Sequence, residues 1–290
     1  LGFASISHAA ESITVSSKID TEGSLLGNLI AVSLTRHGLS VVDKIQLGPT
    51  RIVRGAILAG QIDIYPEYTG NGAFFFHLES DPLWRDAAAA AAKVKELDAA
   101  NHLVWLAASP ADNTWGIAIR KDFAQANRLV SLDDFAAYLK AGGKVKLAAS
   151  VEFTDSSAAL PAFEAAYGFK FSQSQLLVLA GGDTAATIRA AAEGTDGVNA
   201  AMAYGTDGAL AALGLVLLTD DRHAQIVYQP APVVRAEVLE RHPEIAGILD
   251  PVFRSLTLET LQELNARIAV DGEDAKAVAA DYLTSKGFTQ

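Results

Sequence analysis

The sequence predicts an α/β protein of two lobes, each a mostly parallel sheet flanked by helices, with two crossings of the chain between them. Three observations carry this. Short β-rich runs alternate with amphipathic helical runs from Glu11 onward, at the spacing of strand–helix–strand units. The alternation breaks at Ser109–Thr114 and again after Asp220, as it must where a chain leaves one lobe for another. The 290 residues are 50% hydrophobic and only 20% charged, enough to fill two cores. The breaks divide the chain into a first part at 11–111, a second lobe at 112–224, and a return segment at 225–290 that rejoins the first lobe.

Ile13–Ser17 reads as the first strand. Leu25, Leu26, Leu29, Ile30 and Leu34 recur every three to four residues, so Thr21–His37 is a helix, stopped by Gly38. Val41–Leu47 is a strand, Thr50–Ala59 a helix closed by Gly60, and Ile62–Tyr65 a strand ending at Pro66. Ligands of such sheets sit beyond the carboxyl ends of strands. That singles out the loops Ser16–Glu22, Leu47–Thr50 and Tyr65–Asn71. Asp86–Leu97 is an alanine-rich surface helix, Leu103–Ala107 a strand, and Trp115–Arg120 the first strand after the crossing. Ser131, with Asp134 three residues on, forms a capping box for a helix that Gly142-Gly143 closes. Val145–Ala149, Leu176–Leu179 and Val198–Ala203 are strands, separated by helices at Ser157–Tyr167 and Asp183–Glu193. Ile226–Val234 is extended, but Pro230 and Pro232 predict an irregular hinge or an edge strand there. Helices at Arg235–Arg241, Glu244–Arg254, Leu258–Val270 and Glu273–Lys286 finish the chain.

Composition removes whole classes of function. Lys+Arg 23 against Asp+Glu 34 gives a net charge of −11. Phosphate binding needs clustered Lys and Arg, and no such run occurs, which argues against nucleic acid and anionic lipid as partners. No stretch of about eighteen apolar residues is present to span a bilayer. The absence of cysteine removes thiol nucleophiles, iron–sulfur clusters, Cys-type zinc sites and disulfides. There is no His-Glu-x-x-His, no Gly-x-Ser-x-Gly and no Walker-type Gly-Lys-Ser/Thr. The six histidines never pair at ligand spacing, so neither a metal nor a cofactor is expected. Gly70-Asn71-Gly72 lacks the third glycine of a dinucleotide fingerprint. Gly181-Gly182-Asp183 could cradle an anion before its helix, but Asp183 reads more simply as an N-cap. Nothing here reads as an enzyme.

The aromatic residues are more informative. Tyr65 and Tyr68 lie at the carboxyl end of a strand, Trp115 follows the first crossing, Tyr204 ends a strand of the second lobe, and Tyr228 lies in the second crossing. With only 7 tyrosines and 3 tryptophans in the chain, several fall where two lobes would face each other. Such a cleft suits a trimethylammonium group, whose charge is diffuse and which has no N–H to donate. Each cation–π contact is worth about 0.5–2 kcal/mol. Ordinary core aromatics with satisfied hydroxyls would occupy the same positions.

Several segments are recognisable. Ser16-Ser17-Lys18-Ile19-Asp20-Thr21-Glu22, the Gly60–Gly70 block with its Tyr65-Pro66-Glu67-Tyr68-Thr69-Gly70, and Tyr204-Gly205-Thr206-Asp207-Gly208 resemble the osmoprotectant-binding proteins of ABC importers, the glycine betaine/carnitine/choline family. Tyr228–Arg235 and Leu261–Asn265 look like the same family, and the resemblance runs from Ile13 to Phe288. Tyr68–Phe76 and Asn113–Ala118 resemble one branch of it. The resemblance implies a monomeric two-lobe periplasmic binding protein of type II-like topology, closing on a small cationic ligand and serving an ABC permease of the inner membrane. The cage aromatics carry over to Tyr68, Trp115, Tyr204 and Tyr228, with Trp115 standing where members usually have tyrosine. Lys18 matches a position near the ligand carboxylate, and Asn71 falls where many members have threonine. Tyr65 and Thr206, inside the matching blocks, complete the candidate set.

One departure matters. Members usually carry an arginine after Glu152-Phe153 that grips the carboxylate; here the residues are Thr154-Asp155-Ser156-Ser157. Losing a charge-assisted fork costs about 1.5–3 kcal/mol, roughly tenfold to a hundredfold in affinity. The expected ligand is therefore a weakly held glycine betaine, or choline, a larger betaine or another cationic metabolite. Leu1–Ile6 followed by Ser7-His8-Ala9-Ala10 reads as the small-residue end of a cleaved export signal, though a tag remnant would look the same, and it points to the periplasm. The alternatives are a receptor of this fold with a signalling role and, further off, an enzyme on the same scaffold.

Overall fold

The computed structural model describes residues 12–180 and 184–288. The residues read as the end of an export signal, and the Asp183 cap, lie outside the described residues. Ten strands among the described residues form two five-stranded sheets. The first is built from β1 (Ile13–Lys18), β2 (Val41–Gly48), β3 (Ile64–Tyr68), β4 (Leu103–Trp105) and β10 (Pro230–Arg235), in the order β2-β1-β3-β10-β4. The second is built from β5 (Trp115–Arg120), β6 (Leu147–Ser150), β7 (Leu176–Leu179), β8 (Ala200–Tyr204) and β9 (Leu215–Leu217), in the order β7-β6-β8-β5-β9. The sheets share one logic. In the first, β1 runs parallel to β2 and β3 while β10 is antiparallel to β3 and β4. In the second, β6 runs parallel to β7 and β8 while β5 is antiparallel to β8 and β9. The antiparallel strand of each sheet is the first one after the chain arrives from the other, so it enters from the facing edge.

Helices cover both faces of each sheet. The first sheet carries α1 (Thr21–Arg36), α2 (Thr50–Leu58), α3 (Asn71–Phe75), α4 (Ala87–Asp98), and the C-terminal α11 (Ala236–Arg241), α12 (Glu244–Arg254), α13 (Leu258–Ala269) and α14 (Ala275–Ser285). The second carries α5 (Lys121–Asn127), α6 (Leu132–Lys140), α7 (Val151–Asp155), α8 (Leu160–Tyr167), α9 (Thr184–Glu193) and α10 (Ala209–Ala212). The leucine stripe of α1 is wholly buried against Phe253, Leu261, Val278 and Leu283. Asp20 starts α1 by accepting the Gly23 N–H at 2.7 Å, and Ser131 and Asp134 form the capping box their spacing indicates.

Two features depart from the sequence reading. The short elements α3, α5, α7, α10 and β9 are three to seven residues long, too brief to show a helical or strand period. More telling is β10, which is a central strand and neither a hinge nor an edge. Its prolines face positions where no ladder donor is needed. Pro230 and Pro232 point toward the chain beyond the end of β4, where their carbonyls accept from Ser109 N–H at 2.8 Å and Leu106 N–H at 2.9 Å. On the other side Pro232 pairs with Pro66, so neither strand calls on an N–H there.

Candidate functional site

The carboxyl ends of β1, β3 and β8 and the start of β5 open on a cleft of about 800 Å³. Its stacked aromatic pair is set by strand register. Trp115 opens β5 and Tyr204 closes β8, and the antiparallel pairing places them directly opposite. Their rings stack with centroids 6.1 Å apart and planes 21° off parallel. Phe153 meets Trp115 edge-on at 5.7 Å, and the Ser150 hydroxyl fixes Phe153 by accepting its N–H. Burial pushes the Tyr204 hydroxyl above the usual phenol range.

Tyr228 belongs to the second crossing and is held by the first. Its N–H donates to Asp112 Oδ1 at 2.7 Å, and its carbonyl accepts from Asn113 N–H at 2.9 Å. Burial raises Asp112 to about 6 against the pull of that N–H, and burial raises the Tyr228 hydroxyl as well. The loop after β8 is pressed onto this junction. A Cβ on Gly205 would lie 2.2 Å from the Asp112 carbonyl oxygen, and one on Gly208 would lie 2.2 Å from the Ala266 nitrogen of α13. Only glycine allows those approaches.

Below the aromatics lie two buried carboxylates. Glu22, in the first turn of α1, accepts from the Tyr68 hydroxyl at 2.7 Å and from Asn113 Nδ2 at 3.2 Å, both on Oε1. Asn265 Nδ2 donates to Oε2 at 2.7 Å, and the Thr206 hydroxyl adds a further bond. Burial pushes Glu22 upward and these donors pull it back, with burial the larger effect. Asn265 also donates to the Thr206 carbonyl at 2.9 Å, so Glu22 gathers both sheets, the first crossing and α13 around one group. Glu67, with no exposed surface, pairs with Lys18 Nζ at 2.6 Å. It also accepts from Tyr68 N–H, Asn71 Nδ2 and the Tyr65 hydroxyl. The Lys18 ammonium lies 4.5 Å from the centroid of the Tyr68 ring.

Lys18, Tyr68, Asn71, Trp115, Tyr204, Thr206 and Tyr228 all line the cleft. Tyr65 does not. It is fully buried in the core beneath, its hydroxyl 3.1 Å from Glu67 Oε2, because alternation along β3 sends it to the face opposite Tyr68. Beneath it Arg54 and Asp98 form a bidentate pair at 2.5 and 2.8 Å, which Trp105 Nε1 joins at 2.7 Å. Ser156 lines the cleft at the end of α7, and no arginine is among the described lining residues. Lys18 is the one cation among them, beside the carboxylates Asp20, Glu22, Glu152 and Asp207. Sequence reasoning does not single out Glu22, Glu67, Asn113 or Asn265. They lie inside the recognisable segments, but nothing short of their mutual contacts marks them.

The family described as the substrate binding domain of the ABC-type glycine betaine transport system matches residues 11–285. The chain belongs to this family. It is 60% identical over 283 residues to the glycine betaine-binding protein YehZ of Escherichia coli (strain K12), covering 97% of this chain and 93% of that one. It is 32% identical over 286 residues to a glycine-betaine-binding protein of Pseudomonas aeruginosa, covering 94% and 88%. The solved structure of apo YehZ from Escherichia coli matches with a TM-score of 0.90 at 60% identity, covering 97% of this chain and 100% of that one. The two-sheet architecture is thus that of the periplasmic binding proteins the sequence resembles, and the branch resemblance lies with YehZ. Within this substrate-binding domain the cleft stands at the carboxyl ends of the parallel strands, where α/β sheets place their ligands.

Proposed function

We propose that this chain captures a quaternary ammonium compound between its two lobes and delivers it to the permease of an ABC importer. The observation that carries this reading is the stacked Trp115–Tyr204 pair, with Tyr68 and Tyr228, around a cleft whose described lining holds one cation against four carboxylates. A methylated ammonium cannot be held by hydrogen bonds, so π faces and a negative surrounding do the work. Trp115 and Tyr204 come from the second sheet and Tyr68 from the first. A cation touching both gains most when the lobes are together, and that differential affinity biases closure.

The lobes of this reading are residues 11–111 with 225–290, and residues 112–224. It takes the protein as an exported, monomeric, periplasmic receptor without catalytic role. Glycine betaine is held weakly, because Ser156 stands where the resemblance places a gripping arginine. Choline and other cations without a carboxylate lose nothing by that.

A thermal-shift screen tests the reading, using choline, glycine betaine, proline betaine, carnitine and ergothioneine, with glycine and proline as controls. A ligand at 100 times its Kd adds about 2.7 kcal/mol, a rise of about 4 °C for a chain of this size. The expected result is a rise confined to the methylated cations. Equal rises with glycine and proline, or none with any methylated cation, refute it.

A further inference from the structure

The loop after β8 continues the second sheet but is fastened to the helices of the first. Gln262 Nε2 of α13 donates to the Gly205 carbonyl at 2.7 Å. Asn265 Nδ2 donates to the Thr206 carbonyl at 2.9 Å and to Glu22 Oε2 at 2.7 Å. Behind these bonds α13 meets the loop backbone itself, since a Cβ on Gly208 would lie 2.2 Å from the Ala266 nitrogen. Asn265 is buried, and Leu261 and Leu264 anchor α13 in the core it shares with α1. The same loop is seated on the first crossing. Gly205 N–H donates to the Thr114 carbonyl at 2.9 Å, and a Cβ on Gly205 would lie 2.2 Å from the Asp112 carbonyl oxygen.

Both crossings change partners at this level. Asn113 bonds toward the first sheet, its N–H to the Tyr228 carbonyl and its Nδ2 to Glu22, whereas the Thr114 carbonyl takes the Gly205 N–H. Val227 N–H donates to the carbonyl of Trp84, in the core of the first sheet. Gln225 instead bonds toward the second sheet, its N–H to Asp220 and its Nε2 to the Ala159 carbonyl. The Thr114 hydroxyl donates to the Ile226 carbonyl at 2.7 Å and ties the two points of change together.

We infer that Gln262 and Asn265 are positioning residues for the cleft: they peg the loop after Tyr204 to α13, and the second sheet turns about this peg and the Thr114–Ile226 tie as the cleft opens and closes. This rests on the closing-receptor reading above. Rotation displaces an atom in proportion to its distance from the axis, so contacts beside the crossings stay made while the far rim moves. Tyr204 directly precedes the pegged Gly205. Without the peg that loop is loose, and a ligand must order it on binding, which weakens affinity. Gln262 and Asn265 act through the loop and not on the ligand.

The chain has no cysteine, so pairs of cysteines can be placed and spin-labelled. Leu47 and Val178 are exposed on β2 and β7, the edge strands farthest in each sheet from the crossings. Leu213 and Val270 are exposed at the ends of α10 and α13, the helices that meet at the peg. Dipolar EPR then reads both distances without ligand, with glycine betaine and with choline. The Leu47–Val178 distance is expected to shorten with ligand while the Leu213–Val270 distance stays fixed. In Gln262→Ala/Asn265→Ala the ligand-free Leu213–Val270 distribution is expected to broaden. Both ligands weaken about tenfold with their ratio unchanged, the scale of one to two ordinary hydrogen bonds. A merely structural role would lower Tm and leave the distances and affinities as they are. A Leu213–Val270 distance that lengthens in the ligand-free wild type makes the contact a latch and overturns the inference. An unbroadened distribution or wild-type affinity in the double variant overturns it too. A Leu47–Val178 distance that neither ligand alters overturns the closing-receptor reading and this inference with it. If the double variant does not fold, Gln262→Ala decides alone, since it leaves the Asn265–Glu22 bond in place. It is expected to broaden the same distribution and weaken both ligands about threefold, and the absence of either change overturns the inference.

Discussion

Replacing Tyr204 by alanine removes the ring that stacks on Trp115 at 6.1 Å and forms one wall of the cleft. Two separate losses follow. The ligand loses a π face worth about 0.5–2 kcal/mol, which weakens binding roughly 2- to 30-fold. The protein loses a stacked pair worth about 0.5–1.5 kcal/mol, leaving Trp115 its T-shaped contact with Phe153 and its packing on the second-sheet core. In a chain of this length that costs about 1–3 °C in Tm. Calorimetric titration with choline reads the first loss and thermal unfolding the second. Tyr204→Phe separates ring from hydroxyl: it keeps the stack and is expected to bind within about threefold of the wild type. If the alanine variant binds as the wild type does, the ring is not part of the cage. If phenylalanine costs as much as alanine, the hydroxyl is what matters, and the cation–π account fails.

Ser156→Arg should restore a fork for a ligand carboxylate at the end of α7 and tighten glycine betaine about tenfold with no gain for choline; equal effects on the two, read by titration, count against that placement. Gly208→Ala puts a Cβ 2.2 Å from the Ala266 nitrogen, where α10 and α13 must part. That overpacking costs about 1–3 kcal/mol, about 2–5 °C in Tm, and disturbs the Thr206 carbonyl bond to Asn265; an unchanged melting point and unchanged ligand affinity would contradict the close approach. Asp112 is raised from 3.8 to about 6 in the folded state, so its contribution favours folding below pH 4 and is lost as pH rises through 6. Asp112→Asn keeps an acceptor for the Tyr228 N–H and should stabilise the protein by about 2–3 kcal/mol at pH 7.5, shrinking toward zero at pH 4. Melting curves across that range test it, and a constant difference refutes it.

Local rules made much of the fold legible. The leucine spacing of α1 and the Ser131–Asp134 box are read within a few residues, and the structure keeps both. Local rules failed where partners are distant. Pro230 and Pro232 argue against a central strand until one knows that β4 ends before it needs their N–H groups. The short helix α7, which positions Phe153 and Ser156 beside the cleft, has too few residues to carry a period.

The site divides along the same line. Trp115, Tyr204 and Tyr228 are marked in the sequence because each stands at a strand end or crossing, and side-chain chemistry alone says what such rings can hold. That Trp115 and Tyr204 stack follows from the register of β5 on β8, a pairing of strands far apart in the chain that no local pattern encodes. The family resemblance gives Lys18 as a position near a ligand carboxylate, and its place at a strand end makes Tyr65 a candidate for the cleft. The folded chain keeps Lys18 on the cleft, paired with Glu67, and puts Tyr65 underneath, its hydroxyl on the same carboxylate. Residue type and period are properties of neighbouring positions and survive in the one-dimensional chain. Which charge meets which, and which face of a strand reaches the cleft, depend on contacts that exist only once distant segments come together.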